Sequence, residues 1–592
     1  MIDQENKFWQ RYKKGIEYLD SKRLVERSNR NWNFFIGKQW EGIESGGEEL
    51  PFFNFSHRDI TRMITTVYTN RMTVHYADMD GRTEVNGVPL DAIYDKLSHL
   101  HASKWEKSNQ DVYSRLMVKN ACVTGDGIQY YGTGNVEDLQ LLDNTAVLYG
   151  DESEPKVQKQ PYIIIHERRS VAEVKELAIK NGLSEEEIAL ITPDDETENL
   201  IGNREEVQEI STRDSKKITL ITHMEKKKEP VTSIMETPEG EMVRIYTGEM
   251  EDVVYVAKAT KNVIVEPEHA IRGEASEIDR NLGKQGRALR LYPIVKMSWE
   301  NFPNDARGVS QVEYKIPNQI EVNKTLARRS MVTKLSCYPR TVYDENSLTN
   351  PEALETVGTP LAVSSGGVNS IRDLIGYLEP ANVSHEPKQL LDDILEITQE
   401  LTGSGDTTTG NIELQRVAAS AIQAVNDKAE SMFDEVVANY EMAVEEQADL
   451  WVELWQVYSP NGLTVTMKEQ VPVQRVDPMT GMPTIDYEER EVQREITKEE
   501  LDLIKPTTRI DVSKDTPFTR EAEQNWLDGA LNSQQLTLEE YVDIIPVNGV
   551  APKVGLQKII EKRKKQMEQQ NQIQDPATYA TQQWEAQDNI AQ

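Results

Sequence analysis

Apolar residues recur every three or four positions in the first part of the chain, a spacing that predicts amphipathic helices. The first helix has Phe8, Tyr12, Ile16 and Leu19 on one face. The same spacing predicts a second helix over residues 56–73 and a third, longer helix over residues 90–124, which ends at a glycine. In the third helix we expect four core residues: Trp105, Val112, Leu116 and Cys122.

The pattern changes after residue 127, where short apolar runs alternate with turn residues and predict a β-rich region. Residues 128–131 and 162–166 are predicted strands, and residues 218–265 are predicted to form an antiparallel meander of about four strands. Two short helices interrupt them, over residues 170–180 and 184–192, and Ser170 and Ser184 are their expected N-caps.

Two helices flanking a small insertion are predicted in the middle of the chain. The first covers residues 309–336, with Pro317 suited to a first helical position, and the second covers residues 386–401. The intervening residues 337–385 have short strand-like runs, including 341–343, separated by turns. The order therefore predicts a helical hairpin that carries a small αβ insertion.

A stretch without apolar residues, 402–410, separates this hairpin from the strongest helical pattern in the chain. Apolar residues keep helical spacing over residues 413–458, which predicts a helix about 65–70 Å long. That segment carries ten acidic and two basic residues. A helix of this length is expected to run along a large module or across several subunits.

The C-terminal part returns to strands and turns over residues 463–514, then to helices over residues 517–570 and a Gln-rich tail. No internal repeat is present. Helical and strand regions are segregated along the chain, and we therefore predict the α+β class.

Charge limits the functions that this chain can perform. Its 592 residues include 100 acidic and 66 basic side chains, which gives a formal net charge of −34. Holding nucleic acid tightly by its phosphates requires clustered lysine and arginine, so a tight DNA-binding protein is not expected. The charge is compatible with nucleic acid that slides past, and it also favours solubility.

Two cysteines, Cys122 and Cys337, are too few for a disulfide framework or a cysteine-rich zinc site. They indicate a reducing, intracellular environment. The first residues lack the apolar core of a secretory signal, and no apolar run approaches the roughly 18 residues that cross a bilayer. We therefore expect no direct contact with a membrane.

The common catalytic motifs are incomplete in this sequence. Gly405 and Gly410 have the spacing of a phosphate-binding loop, but Asn411 and Ile412 occupy the places of the required lysine and hydroxyl residue. His166 and Glu167 begin a zinc-protease pattern that lacks its second histidine. We expect no enzymatic activity, no cofactor and no metal.

The joint order of these features resembles the portal proteins of tailed bacteriophages, most nearly the large podovirus-type branch. Single motifs are loose, and it is their order over about 500 residues that carries the resemblance. The matching segments are Trp32 to Trp40, Pro51-Phe52-Phe53-Asn54, Gly125-Asp126-Gly127, 143–151, 170–178, Gly308-Val309-Ser310, Gln319 with Asn323, and Ala418-Ala419-Ser420-Ala421-Ile422.

The resemblance implies a ring, usually of twelve subunits, at one vertex of the virion capsid, assembled in the host cytoplasm. The implied parts are a wing (1–308), a first stem helix (309–336), a clip (337–385), a second stem helix (386–401), a tunnel loop (402–412), a long wing helix (413–458), a wing return (459–515) and a crown with a flexible tail (516–592).

The same resemblance implies partners and contact residues. The partners are other copies of the chain, the terminase large subunit, major capsid and scaffolding proteins, head-tail adaptor proteins, and double-stranded DNA in transit without sequence specificity. The implied DNA-channel residues of the stem are Lys324, Arg328, Arg329, Lys334 and Arg340. The implied tunnel-loop residues are Gly403, Ser404, Gly405, Asp406, Thr407, Thr408, Thr409 and Gly410. The implied docking residues of the clip are Tyr343, Asp344, Glu345 and Asn346.

Alternatives remain open at each point. The segment 317–340 contains the five stem cations and one acidic residue, Glu321. The cations either form a positive collar around DNA or pair with acids of a neighbouring subunit. Segment 402–412 is either a tunnel loop or a plain linker. The whole chain is a structural DNA conduit, or a packaging ATPase and nuclease, or an acidic capsid scaffold without a channel.

Overall fold

Helices and strands are both abundant in the computed structural model, at 51% and 25% of the described residues, which confirms the α+β class. The structure describes residues 6–40, 50, 53–68, 70–78, 82, 84–85, 88–194, 217–236, 242–275, 285–337, 341–343, 350, 352, 362, 375–377, 386–401, 431–476, 483–504, 506–514, 527, 529, 531, 533 and 541.

Two compact units divide the chain. The first comprises Met1–Tyr68 and Met72–Asp511, and the second comprises Thr69–Arg71 and Val512–Gln592. In the second unit Leu527 and Tyr541 are buried. The predicted C-terminal segment 516–592 falls within this second unit, and most of it lies outside the described residues.

The described helices are α1 (Lys7–Ser21), α2 (Leu24–Ile36), α3 (Phe55–Tyr68), α4 (Leu90–Lys107), α5 (Gln110–Thr124), α6 (Val171–Lys180), α7 (Glu185–Ala189), α8 (Gln311–Cys337), α9 (Glu386–Leu401), α10 (Asp434–Tyr458) and α11 (Lys498–Leu503). Short 3-10 turns cover Val157–Lys159 and Ser431–Phe433.

The described strands are β1 (Asn70–Asp78), β2 (Glu84–Val85), β3 (Val88–Pro89), β4 (Asp126–Tyr130), β5 (Gln140–Leu142), β6 (Val147–Tyr149), β7 (Tyr162–Ser170), β8 (Lys217–Glu236), β9 (Met242–Ala259), β10 (Ile264–Ala270), β11 (Ile294–Ser298), β12 (Thr341–Tyr343), β13 (Ile375–Tyr377), β14 (Leu463–Val476), β15 (Pro483–Ile496) and β16 (Pro506–Lys514).

Two antiparallel sheets organise the first unit. The larger has the strand order β10-β9-β8-β7-β6, and the smaller has the order β11-β4-β5. Helix α1 packs on the larger sheet through Phe8, Trp9 and Tyr12. The main hydrophobic core lies among α2 to α5, the first turns of α8, and α10, where Trp299 and Trp451 are fully buried.

Several sequence predictions are confirmed. Helix α9 has the predicted bounds, and α8 begins and ends within two residues of them. Ser170 and Ser184 cap α6 and α7, because their hydroxyls accept the backbone N–H of Glu173 and Glu187. The short strand at 341–343 is also present.

The predicted third helix is wrong as a single element. It is divided into α4 and α5 at Ser108 and Asn109, and Asn109 has a left-handed φ of 52°. Asparagine tolerates that conformation better than most residues. The change of direction leaves Val112 and Leu116 57% and 39% exposed, so neither belongs to the core as predicted.

Four other features differ from the predictions. The second predicted helix ends at Tyr68, and residues 24–36 form a helix that was not predicted. The predicted four-stranded meander has three strands, β8 to β10, because the first two are 20 and 18 residues long. Pro317 lies inside α8, which begins at Gln311 because the Ser310 hydroxyl accepts the N–H of Val312.

The predicted long helix is described only in its C-terminal part. Helix α10 begins at Asp434 after the 3-10 turn at Ser431–Phe433, so continuity through that turn is not observed, and residues 413–430 lie outside the described part. The described helix has 25 residues, which corresponds to about 38 Å.

A close backbone contact connects the end of α5 with the segment that leads into α8. Gly125 has φ +103°, and a Cβ added there lies 2.2 Å from the Gly308 carbonyl oxygen. The Gly308 N–H donates to Asp126, whose carboxylate also accepts from the Ser298 hydroxyl at 2.6 Å. Only glycine meets both the conformational and the steric requirement at position 125.

We therefore predict that Gly125→Ala lowers the free energy of unfolding by at least about 3 kcal/mol, because it adds a backbone clash to a left-handed conformation. Gly182→Ala is the matched control, since Gly182 has φ +78° and open space around its Cβ position. It should cost only about 1–2 kcal/mol. Denaturant titration followed by tryptophan fluorescence measures both, and equal losses contradict the steric account.

Candidate functional site

Helix α8 is the element on which the sequence places four of the five DNA-channel residues, and its two halves have different surroundings. Its first half packs against α2, α3 and α5. Val312, Ile316 and Val322 are buried there, at 5% exposure or less. Helix α8 also contacts α9, and its second half carries exposed charged side chains. The buried side chains of this helix are therefore concentrated in its first half.

A buried ion pair holds the first half of α8 against α3. Lys315 Nζ lies 3.2 Å from Asp59 Oδ2, and the two side chains are 3% and 1% exposed. Asp59 Oδ1 also accepts a hydrogen bond from the neighbouring Arg58 at 3.3 Å. Burial lowers the pKa of the Lys315 ammonium, and the Asp59 carboxylate partly offsets that decrease. A charge taken out of water here depends on its partner.

Amide side chains extend this anchor along the next two turns. The Gln319 amide donates to the Phe53 carbonyl at 2.7 Å and to Asn323 Oδ1 at 3.0 Å, while its oxygen accepts from the Ser56 hydroxyl at 3.0 Å. Asn323 in turn donates to Gln39 Oε1 at 2.6 Å. All four side chains are buried, and these hydrogen bonds satisfy polar groups that would otherwise destabilise the core.

The first turn of α8 has one further charged contact. Glu313 accepts two hydrogen bonds from Arg27 of α2, at 3.1 and 2.7 Å, and one from Arg30 at 3.4 Å. The two-pronged Arg27 contact fixes the relative orientation of α2 and α8 more strongly than a single charge pair could. The first half of α8 is thus held by charge, amide and apolar contacts together.

Cationic residues follow on the second half of α8. Lys324, Arg328, Arg329 and Lys334 are all exposed. Arg328 lies 3.7 Å from Glu321, with side chains 72% and 41% exposed, a separation and exposure at which an ion pair adds little stability. At 3.6 residues per turn the four cations spread over about 220° of the helix circumference, so they do not share one face. Lys324 and Arg328 do lie on a common face of the helix.

The remaining predicted site residues lie at the edge of the described part or outside it. Tyr343 ends β12, where it pairs with Ile375 of the antiparallel strand β13. Arg340, residues 344–346 and the predicted tunnel loop at 403–410 lie outside the described residues. The two helices and the small β-pair between them are therefore described. The roles predicted for residues 344–346 and for the tunnel loop stay predictions.

Helix α10 carries a row of acidic residues at four-residue spacing, Glu441, Glu445 and Asp449. Burial and the carboxylate of Glu445 raise the pKa of Glu441, and burial and the carboxylate of Asp449 raise the pKa of Glu445. This helix thus concentrates negative charge within the same unit that presents the cations of α8.

Neither metal chemistry nor membrane insertion is indicated in the part of the chain that the structure describes. There, no group of three or more His, Cys, Asp or Glu residues is arranged to hold a metal ion. Over the same residues, no helix combines the length and apolar character of a membrane span.

No protein-family model matches this chain, and no curated protein matches it either.

The residues that anchor α8 were missed as a group by the sequence patterns. Lys315, Gln319 and Asn323 recur at four-residue spacing, so a polar stripe does run along this helix. Such a stripe is usually solvated. Only the matching Asp59 and Ser56 on α3, 256 and 263 positions away, turn it into a buried interface.

We predict that Asp59→Ala lowers the free energy of unfolding by about 3–5 kcal/mol, because it leaves the buried Lys315 ammonium without its partner. Adding Lys315→Met should recover most of that loss, since it removes the unpaired charge. Arg328→Ala serves as the control and should cost under about 1 kcal/mol. Chemical denaturation of these three variants, of Lys315→Met alone and of the unchanged protein measures the effects, and additive effects of the two substitutions contradict the prediction.

Proposed function

We propose that this chain is a structural subunit of a ring-shaped DNA conduit of the kind formed by the portal proteins of tailed bacteriophages. The observation that carries the proposal is the paired helices α8 and α9, with the β12–β13 pair between them in sequence and exposed cations on α8. In such a ring the helices form the stem, and the β-pair belongs to the clip.

Charge supports passage rather than retention of DNA. The chain as a whole is strongly acidic, and only four described cations lie on the second half of α8. Phosphate contacts strengthen with each counterion that they release, so a few basic positions in an acidic wall favour sliding over tight binding. The proposed role is therefore structural: the ring nucleates the capsid at one vertex, docks the terminase motor and later the head-tail adaptors, and performs no catalysis.

We predict that the purified full-length chain forms closed rings with an axial opening, visible in class averages of negatively stained particles. Light scattering after size exclusion gives the subunit number, for which about twelve is the expectation from the resemblance. The same preparation should show no ATP turnover above that of a buffer control, which separates the proposal from a packaging ATPase. A strict monomer at high concentration contradicts the ring, and particles without an opening favour the channel-less scaffold.

A further inference from the structure

Helix α8 exposes a short row of residues that combines charge with an apolar side chain. Lys324, Arg328 and Met331 follow one another at spacings of four and three residues, which places them within about 60° of the helix circumference. Met331 is 54% exposed in the single chain. A lysine, an arginine and an exposed methionine on one face suit a protein partner better than phosphate groups, because phosphate offers no apolar surface for the methionine to contact.

Helix α9 exposes the complementary row. Leu390, Asp393 and Ile397 follow at spacings of three and four residues, again within about 60°. Leu390 and Ile397 are 46% and 53% exposed, while Leu391, on a different side of the helix, is buried. The apolar stripe of α9 is thus wider than its packing in the single chain requires.

The second half of α8 and helix α9 have net charges of opposite sign. Residues 321–334 of α8 carry four basic residues and one acidic residue, whereas α9 carries five acidic residues and one basic residue. Both belong to the same hairpin, so each copy of the chain presents a basic-apolar row and an acidic-apolar row. Two such rows are complementary between copies.

We infer that the α8 row of one copy docks on the α9 row of the next copy, with Arg328 and Lys324 facing Asp393 and with Met331 against Leu390 and Ile397. The inference rests on the proposed ring and names its subunit contact. Because the two rows are different surfaces, the contact is head-to-tail, and contacts of that type close into rings when the rotation between copies allows it. Lys324 and Arg328 then serve assembly, and of the four described cations Arg329 and Lys334 remain available to DNA in the proposed ring.

The intrachain contact of Arg328 with Glu321 is compatible with this docking. The two side chains are 3.7 Å apart and that of Arg328 is 72% exposed, so Arg328 can turn to a closer carboxylate at small cost. Removal of water at an interface strengthens a charge pair. Arg328 therefore pairs more strongly with Asp393 of a neighbouring copy than with Glu321 in solvent.

A charge-swap experiment tests the inference in the full-length chain. We expect Arg328→Asp and Asp393→Arg each to weaken assembly at least about tenfold, measured by sedimentation velocity over a concentration series, because each places like charges against each other. The double variant should assemble within about threefold of the unchanged protein. Lys14→Glu, at an exposed position of α1, is the control for altered net charge. Circular dichroism verifies that every variant is folded.

The outcomes separate the inference from the proposed function. If the unchanged protein assembles and both single variants assemble as well as Lys14→Glu, the docking surface is wrong and the ring stands. Weakened single variants without recovery in the double variant also overturn the pairing. If Arg328→Asp reduces DNA retention in assembled particles without affecting assembly, this residue faces DNA, and the inference fails. A monomeric unchanged protein contradicts the proposed ring itself.

Discussion

The fixed position of the first half of α8 is the constraint on which the rest of the proposed site depends. A lysine and an aspartate, both almost fully removed from water, join α8 to α3, and buried amides continue the contact for two further turns. Such groups are stable only with their partners, so they tolerate little change in the register or rotation of the helix. The directions in which the exposed side chains of the second half point are therefore set by residues that never reach the surface.

Charge has two separate roles in this chain. The excess of acidic residues keeps copies of the protein apart over distances of about a Debye length, roughly 8–10 Å at physiological salt. In the inferred contact between copies, the opposite signs of α8 and α9 would reverse that repulsion locally. Association driven by such a contact is specific, because any docking other than basic row against acidic row brings like charges together. The same acidity thus also restricts how copies can meet.

The sequence predicts the elements whose apolar spacing is uninterrupted and whose ends have clear capping or turn residues, such as α6, α7 and α9. It does not predict the division at Asn109, because the apolar spacing continues across the break while the chain changes direction. Helix α2 was missed because its aromatic residues are clustered within Trp32 to Trp40 and are not spread at helical spacing along the whole element. The anchor of α8 could not be found from local patterns, since Lys315 and Gln319 acquire their partners from a helix more than 250 positions earlier. The α+β class could be predicted, because it depends only on the segregation of helical and strand patterns along the chain.

An unequal distribution of contacts along one helix has a mechanical consequence. From Thr325, the last buried residue of α8 among those the structure describes, to Cys337 the helix rises about 18 Å. Over that length of rigid helix, a rotation of about 10° at the buried end displaces the far end by about 3 Å. Small rearrangements in the core are thereby amplified toward Cys337. In the proposed ring, such a tilt of α8 would change the opening without any subunit unfolding.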